Sequence, residues 1–175
     1  MSKMSDGYPF IFVMADYSEA DSLLMRTLQY RFKSSKSNHT YIVRVECYTH
    51  HVYCLKFYDK SVSLSRNKYS LRTNTFEPRT IMYTLCHIME SVLKQDELAS
   101  FFFIGAEDEK DGPGATTRRY RIYRRFVSSV VSNKLFEHYR VNDLSLYILL
   151  NKATAYNHNE LVEKIMDEVK KAYIS

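Results

Sequence analysis

The stretch Tyr41–Lys60 reads YIVRVECYTHHVYCLKFYDK. Apolar and polar residues alternate on both sides of THH, which is the period of two β-strands joined by a turn. Val43, Val45 and Cys47 share one face, and Tyr53, Leu55 and Phe57 supply the matching face of the second strand. Pairing Cys47 with Leu55 and Val45 with Phe57 puts all six on one side and sets Glu46 opposite Lys56, a favourable cross-strand pair. The alternative register, pairing 46 with 54, sets Arg44 against Lys56 and is expected to be worse. In the preferred register Cys47 and Cys54 face opposite ways, and His50 and His51 sit in the turn.

The same period continues outward from this hairpin. Upstream, Leu28, Tyr30 and Phe32 alternate with Gln29, Arg31 and Lys33, and SSKSN is a turn signal. Downstream, a further strand is expected around Lys68–Thr73. A helix then follows, with Thr75 as its cap and Pro78 in its first turn; Ile81, Leu85, Ile88, Met89 and Val92 form its apolar face. Ser100–Ala106, SFFFIGA, is a short unbroken apolar run, as in a strand buried on both faces. FEHYRV and SLYILLN read as the last strands, joined through Asn142 and Asp143. Asn157 and Glu160 make a capping pattern for a final helix with an apolar stripe of Leu161, Ile165, Val169 and Ala172. The order predicts an α+β fold: a mainly antiparallel sheet with about three helices packed on it. Residues 1–22 read as an N-terminal arm or appendage, able to serve as a strand or to dock on a neighbour in a homo-oligomer. Residues 23–175 read as a single domain.

Composition limits the function classes. The 175 residues include 15 Tyr and no Trp, and the formal net charge is +5. The segment Arg118–Arg125, RRYRIYRR, holds five arginines and accounts for that entire net charge. The apolar run near the start is too short to span a membrane and lacks the flanks of a signal peptide, so a cytoplasmic protein is expected. Three cysteines without CxxC spacing point to neither a disulfide framework nor a zinc site, and the histidines lack metal-ligand spacing. Neither a catalytic motif nor a cofactor signature is visible.

On a helix starting near Thr116 or Thr117, Tyr120, Tyr123, Phe126, Val127 and Val130 cover one arc. Arg118, Arg121, Arg124 and Arg125 fall on the opposite side, and Arg119 lies with the aromatic arc, where a guanidinium requires a partner. The preceding acids Glu107, Asp108, Glu109 and Asp111 are candidate ion-pair partners for a solvated arginine face, or cation ligands of no recognised loop type. The leading expectation is a non-enzymatic binding module. Arg118, Arg119, Arg121, Arg124 and Arg125, with Tyr120 and Tyr123, would contact an acidic protein surface or nucleic acid. The alternative is a small phosphate- or nucleotide-handling enzyme with a pocket around Arg119 and the 107–111 loop.

YIVRVECYTHHVYCLKFYDK, NKYSL, FFFIGAEDE, TRRYRIYRR and SLYILLNK together resemble a family of uncharacterised bacterial proteins associated with Bacteroidota, over about residues 41–152. The resemblance implies no activity. It implies that strand, acidic loop and arginine helix form one recurring unit, and it leaves residues 1–22 outside.

Overall fold

Seven strands form a single sheet in this computed structural model, which describes residues 6–17, 23–69, 77–105 and 116–173. The strands are β1 (Phe10–Tyr17), β2 (Leu24–Lys33), β3 (Thr40–Tyr48), β4 (Val52–Asp59), β5 (Ser100–Ile104), β6 (Phe136–Val141) and β7 (Leu146–Asn151). The helices are α1 (Pro78–Gln95), α2 (Arg118–Val130) and α3 (His158–Tyr173). The sheet order is β1-β2-β3-β4-β5-β7-β6, and β4 with β5 is its only parallel pair among the described residues. The mainly antiparallel α+β architecture with three helices therefore matches the alternation and capping signals of the sequence.

Each face of the sheet carries its own core. Leu28, Tyr30, Phe32, Val43, Val45, Cys47, Tyr53, Leu55, Phe57, Phe101 and Phe103 point to one side, beneath α1 and α2. Val52, Cys54, Phe102, Ile148 and Leu150 point to the other, where α3 covers them with Leu161, Ile165 and Val169. Ala172 is exposed, so the stripe of α3 ends at Val169. Asn157 caps α3 by accepting from the Glu160 N–H at 3.1 Å. No helix among the described residues is long and apolar enough to cross a membrane.

The β3–β4 register is the one that charge pairing disfavours. Val45 lies opposite Leu55, Glu46 opposite Cys54, and Arg44 opposite Lys56. The two registers keep the same residues facing inward, so alternation cannot choose between them. The turn and the second core decide. Tyr48 pairs with Val52 across the three-residue turn Thr49–His51, whose His50 and His51 take φ of 66° and 60°. Three-residue hairpin loops commonly use such left-handed positions. The other register would pull Val52 into the turn, whereas it is buried under α3. Glu46 still reaches Lys56 diagonally, at 2.7 Å, and Arg44 turns to Asp16 at 3.8 Å and Gln29 at 3.3 Å.

Phe10–Tyr17 of the N-terminal segment runs antiparallel to β2 at one edge of the sheet, with a bulge between Phe12 and Met14. Ahead of it, the Tyr8 N–H donates to Thr84 Oγ1 on α1 at 2.8 Å. Glu77, the residue before α1, is buried and receives hydroxyls from Tyr8 (2.5 Å), Ser34 (2.7 Å) and Ser37 (3.0 Å). This cage ties the start of α1 to the β2–β3 turn. The expected cap Thr75 lies outside the described residues, as does the expected strand from position 70 onward; Lys68 and Tyr69 form a turn.

The end of β5 fixes where α2 begins. Thr117 Oγ1 donates to the Gly105 carbonyl at 2.8 Å and accepts from the Tyr120 N–H at 3.1 Å, acting as the helix cap. The Gly105 N–H donates to the Ser145 carbonyl at 3.0 Å, and Ser145 Oγ accepts from the Thr117 N–H at 3.1 Å. A Cβ on Gly105 would overlap Thr117 Oγ1 and the Tyr120 backbone nitrogen. Gly105→Ala should therefore destabilise the fold by about 1–3 kcal/mol, the usual range for overpacking. Urea unfolding checks it; an unchanged midpoint would show that α2 can move off β5 without penalty.

Candidate functional site

The arginine helix begins at Thr117, as its sequence suggests, and shows two unlike faces. Tyr120, Tyr123 and Val127 are 0%, 6% and 0% exposed and pack over Phe103, Tyr147 and the rest of the first core. Phe126 and Val130 are only half-buried, because they lie at the edge of the arc toward α1. Arg118, Arg121 and Arg125 are exposed, and Arg124 is half-buried.

Arg119 lies on the inner side, half-buried. Its guanidinium sits over the Phe57 ring, 5.0 Å from the centroid, and neighbours Tyr123. An aromatic face and a phenol therefore meet this charge at the edge of the core. Burial raises the pKa of Tyr123, and the neighbouring Arg119 offsets part of that rise. Tyr120 and Tyr123 hold the inner arc that the spacing gives them; they face the sheet, so their rings are not presented to a partner as the binding-module expectation had it. The Tyr120 hydroxyl donates to Asn142 Oδ1 at 2.7 Å, which pins α2 to the β6–β7 turn.

Arg121 donates to the Thr116 carbonyl. Arg124 lies 5.7 Å over the Tyr120 ring and reaches Asn142 Oδ1 at 3.5 Å. Arg121, Arg124 and Arg125 make no ion pair among the described residues. Residues 107–111, the acids expected beside them, lie outside the described residues. The placement also runs against the helix dipole. The first turn of α2 contains no acid and two arginines, and the last turn contains no base. Cations at a helix N-terminus are each unfavourable by about 0.3–1 kcal/mol at an exposed site, so helix stability does not explain this distribution.

Among the described residues, two concavities adjoin this face. One, of about 390 Å³, is lined by Arg118, Arg121, Ile122, Arg124 and Arg125. The second, of about 290 Å³, lies between α1 and α2, with Met82, Ile122, Phe126 and Val130 forming an apolar floor between Arg79 and Arg125. Tyr83 packs edge-on against Phe126 at 4.9 Å. Arg119 lines neither concavity. The sequence reading missed this groove, because α1 contributes half of it from forty residues away.

The remaining polar groups are dispersed. His39 pairs with Asp59, His51 with Asp96 at 2.8 Å, and His158 with Glu137 at 2.9 Å. Among the described residues, no three His, Cys, Asp or Glu side chains converge as a metal site. The three cysteines are buried; burial pushes the Cys86 thiol up to about 12 and raises Cys47 and Cys54 as well, so all stay protonated near neutral pH. Comparisons with protein-family models, curated proteins and solved structures find no match.

The two arginine environments should separate in stability measurements. Arg119→Met is expected to lose ~1 kcal/mol by giving up its desolvated ring contact. Arg121→Met and Arg125→Met should stay within ~0.5 kcal/mol of the parent. Equal losses at all three positions in urea unfolding would contradict the assignment of Arg119 to the inner side.

Proposed function

We propose that the chain is a non-enzymatic binding module whose α2 face receives an acidic protein segment carrying an apolar anchor. The observation that carries this reading is the set Arg121, Arg124 and Arg125, which makes no ion pair among the described residues, beside an apolar groove. Guanidinium groups near the positive end of a helix make a field that attracts carboxylates. The groove floor of Met82, Ile122 and Phe126 then accepts an apolar side chain, as in recognition of an amphipathic helix. Nucleic acid is the less favoured partner, because Tyr120 and Tyr123 are buried and cannot stack bases beside the arginines. The enzymatic alternative requires a pocket around Arg119, and the concavities beside α2 are lined by the outward arginines instead.

A fluorescein-labelled amphipathic peptide of Glu and Leu tests the reading by anisotropy. Binding should weaken with salt and fall at least tenfold in Arg121→Glu/Arg125→Glu, and Phe126→Ala should weaken it at every salt concentration. Oligonucleotides that bind more tightly than the peptide, with a steep salt slope, would replace this reading with the nucleic-acid one.

The expected homo-oligomer has its own support in β1. Ile11 and Phe12 are 51% and 55% exposed, and Tyr17 is 78% exposed, on an edge strand whose one charged residue is Asp16. Edges of this length and apolarity are usually blunted by charge or covered. Met14 and Met25, 43% and 57% exposed, extend this apolar edge. The occupant that fits is a second copy in antiparallel pairing, which sets each Asp16 against the apolar start of the other strand. Parallel pairing would bring the two carboxylates together. Light scattering should show a dimer that Ile11→Lys/Met14→Lys converts to monomer; a parent protein that stays monomeric at high concentration would end this part of the reading.

A further inference from the structure

A cavity of about 250 Å³ lies on the opposite face of the sheet from α2, between the β3–β4 turn and α3. Its floor is apolar: Val52, Phe102, Leu161 and Ile165. Its rim is polar and holds Lys164, Asp167, Glu168 and Lys171 from α3 and His50 from the turn.

His50 is held in place from three sides. Its backbone is left-handed at φ 66°, a conformation uncommon outside glycine and sustained only where the surroundings impose it. Its ring packs edge-on against Tyr156 at 4.4 Å, Nδ1 lies 3.0 Å from Thr49 Oγ1, and Nε2 lies 3.4 Å from Lys164 Nζ. An ammonium only donates, so Nε2 must present its lone pair and Nδ1 must carry the proton. The turn itself is anchored by His51 and Tyr53, which share Asp96 Oδ2 at 2.8 and 2.7 Å. Lys164 makes no ion pair among the described residues, while Glu168 lies 3.9 Å from Lys171.

We propose that this cavity binds a small monocarboxylate with an apolar body, its carboxylate received by Lys164 and His50 and its body by Phe102, Leu161 and Ile165. Ligand pockets usually exceed ~300 Å³, so this one fits a single ring or a short branched chain. Asp167 and Glu168 on the rim repel a second negative charge, which selects a carboxylate over a phosphate dianion.

The electrostatics agree with this geometry. Burial lowers the His50 pKa first, and the positive charges of Lys164 and His51 lower it further; Asp167 and Glu168 face the same rim, and Tyr48 and Thr49 flank it. A carboxylate against Lys164 cancels that repulsion and favours the imidazolium, which then donates from Nε2. Ligand binding should therefore raise the His50 pKa.

Sodium benzoate, benzyl alcohol and inorganic phosphate are the probes, read by NMR on the full chain. Benzoate should shift the Leu161 and Ile165 methyls, bind at least tenfold more tightly than benzyl alcohol, and move the His50 titration upward; phosphate should leave these signals unchanged. Lys164→Met, an exposed substitution that leaves the floor intact, should abolish the preference for benzoate. Equal binding of benzoate and benzyl alcohol, a preference surviving Lys164→Met, or a phosphate response at Leu161 would each overturn the proposal. The α2 arginines lie across the sheet, so failure here leaves the reading of that face untouched.

Discussion

Burial of β5 on both faces is the constraint on which the architecture depends. Ser100–Ile104 carries Phe101 and Phe103 to one side and Phe102 to the other, each at most 2% exposed. Each aromatic removes 150–250 Å² from water when buried, so neither face of this strand can be left open. Two layers of helix are thereby required. The chain meets the demand by crossing α1 and α2 over one face and returning α3 over the other. On the outer side of β2 and β3 the inward residues alternate with Gln29, Arg31, Arg44 and Glu46, and the α3 side reaches only the end of β3, at Tyr48.

That constraint also sets the position of the arginine helix. Phe103 contacts Tyr123, and Gly105 at the end of β5 lets the start of α2 approach to hydrogen-bonding distance. Thr117 is capped and bonded in three directions, so the rotation of the helix about its axis is fixed from its first turn. With Tyr120 and Tyr123 committed to the sheet, the 100° step per residue drives Arg118, Arg121, Arg124 and Arg125 outward together. The stripe is thus a geometric consequence of where two tyrosines are buried.

The parts of this fold legible in the sequence were those set by local period and capping. The inward faces of β2, β3 and β4, the Asn157 cap and the inner position of Arg119 all follow from spacing of two or about four residues. The β3–β4 register did not, because both candidates bury the same six side chains. A diagonal Glu46–Lys56 contact supplies the ion pair that direct opposition was expected to supply, so charge had no vote. What chose the register was Val52 under α3, a contact with a helix more than a hundred residues away. Separation in sequence also hid the α1–α2 groove, whose two sides are about forty residues apart, and the Lys164–His50 contact, whose partners are 114 apart. Tyr120 and Tyr123 were placed on the inner arc by their spacing and yet offered as partner contacts, because a tyrosine beside arginines suits both a core edge and a binding face; packing against Phe103 and Tyr147 commits them to the core.

Agreement between local preference and global structure is the rule in stable folds, and departures from it tend to gather where something other than stability is served. Here they gather in two places. α2 carries two arginines and no acid at its positive end, against its dipole. The β3–β4 turn puts two consecutive histidines, not glycine or asparagine, in left-handed conformations, and holds one of them against a lysine. Each arrangement sets positive or proton-accepting groups side by side: three arginines on α2 with no ion pair among the described residues, and Lys164 against His50 at a cavity rim that Asp167 and Glu168 share. Solvent relieves such a grouping in part, and an anion of matching shape relieves it further. The two places lie on opposite faces of one sheet: one is an arginine-lined helix face beside a groove, the other a cavity with an apolar floor and a charged rim. The ligands proposed for them differ accordingly, a protein segment for the first and a small molecule for the second.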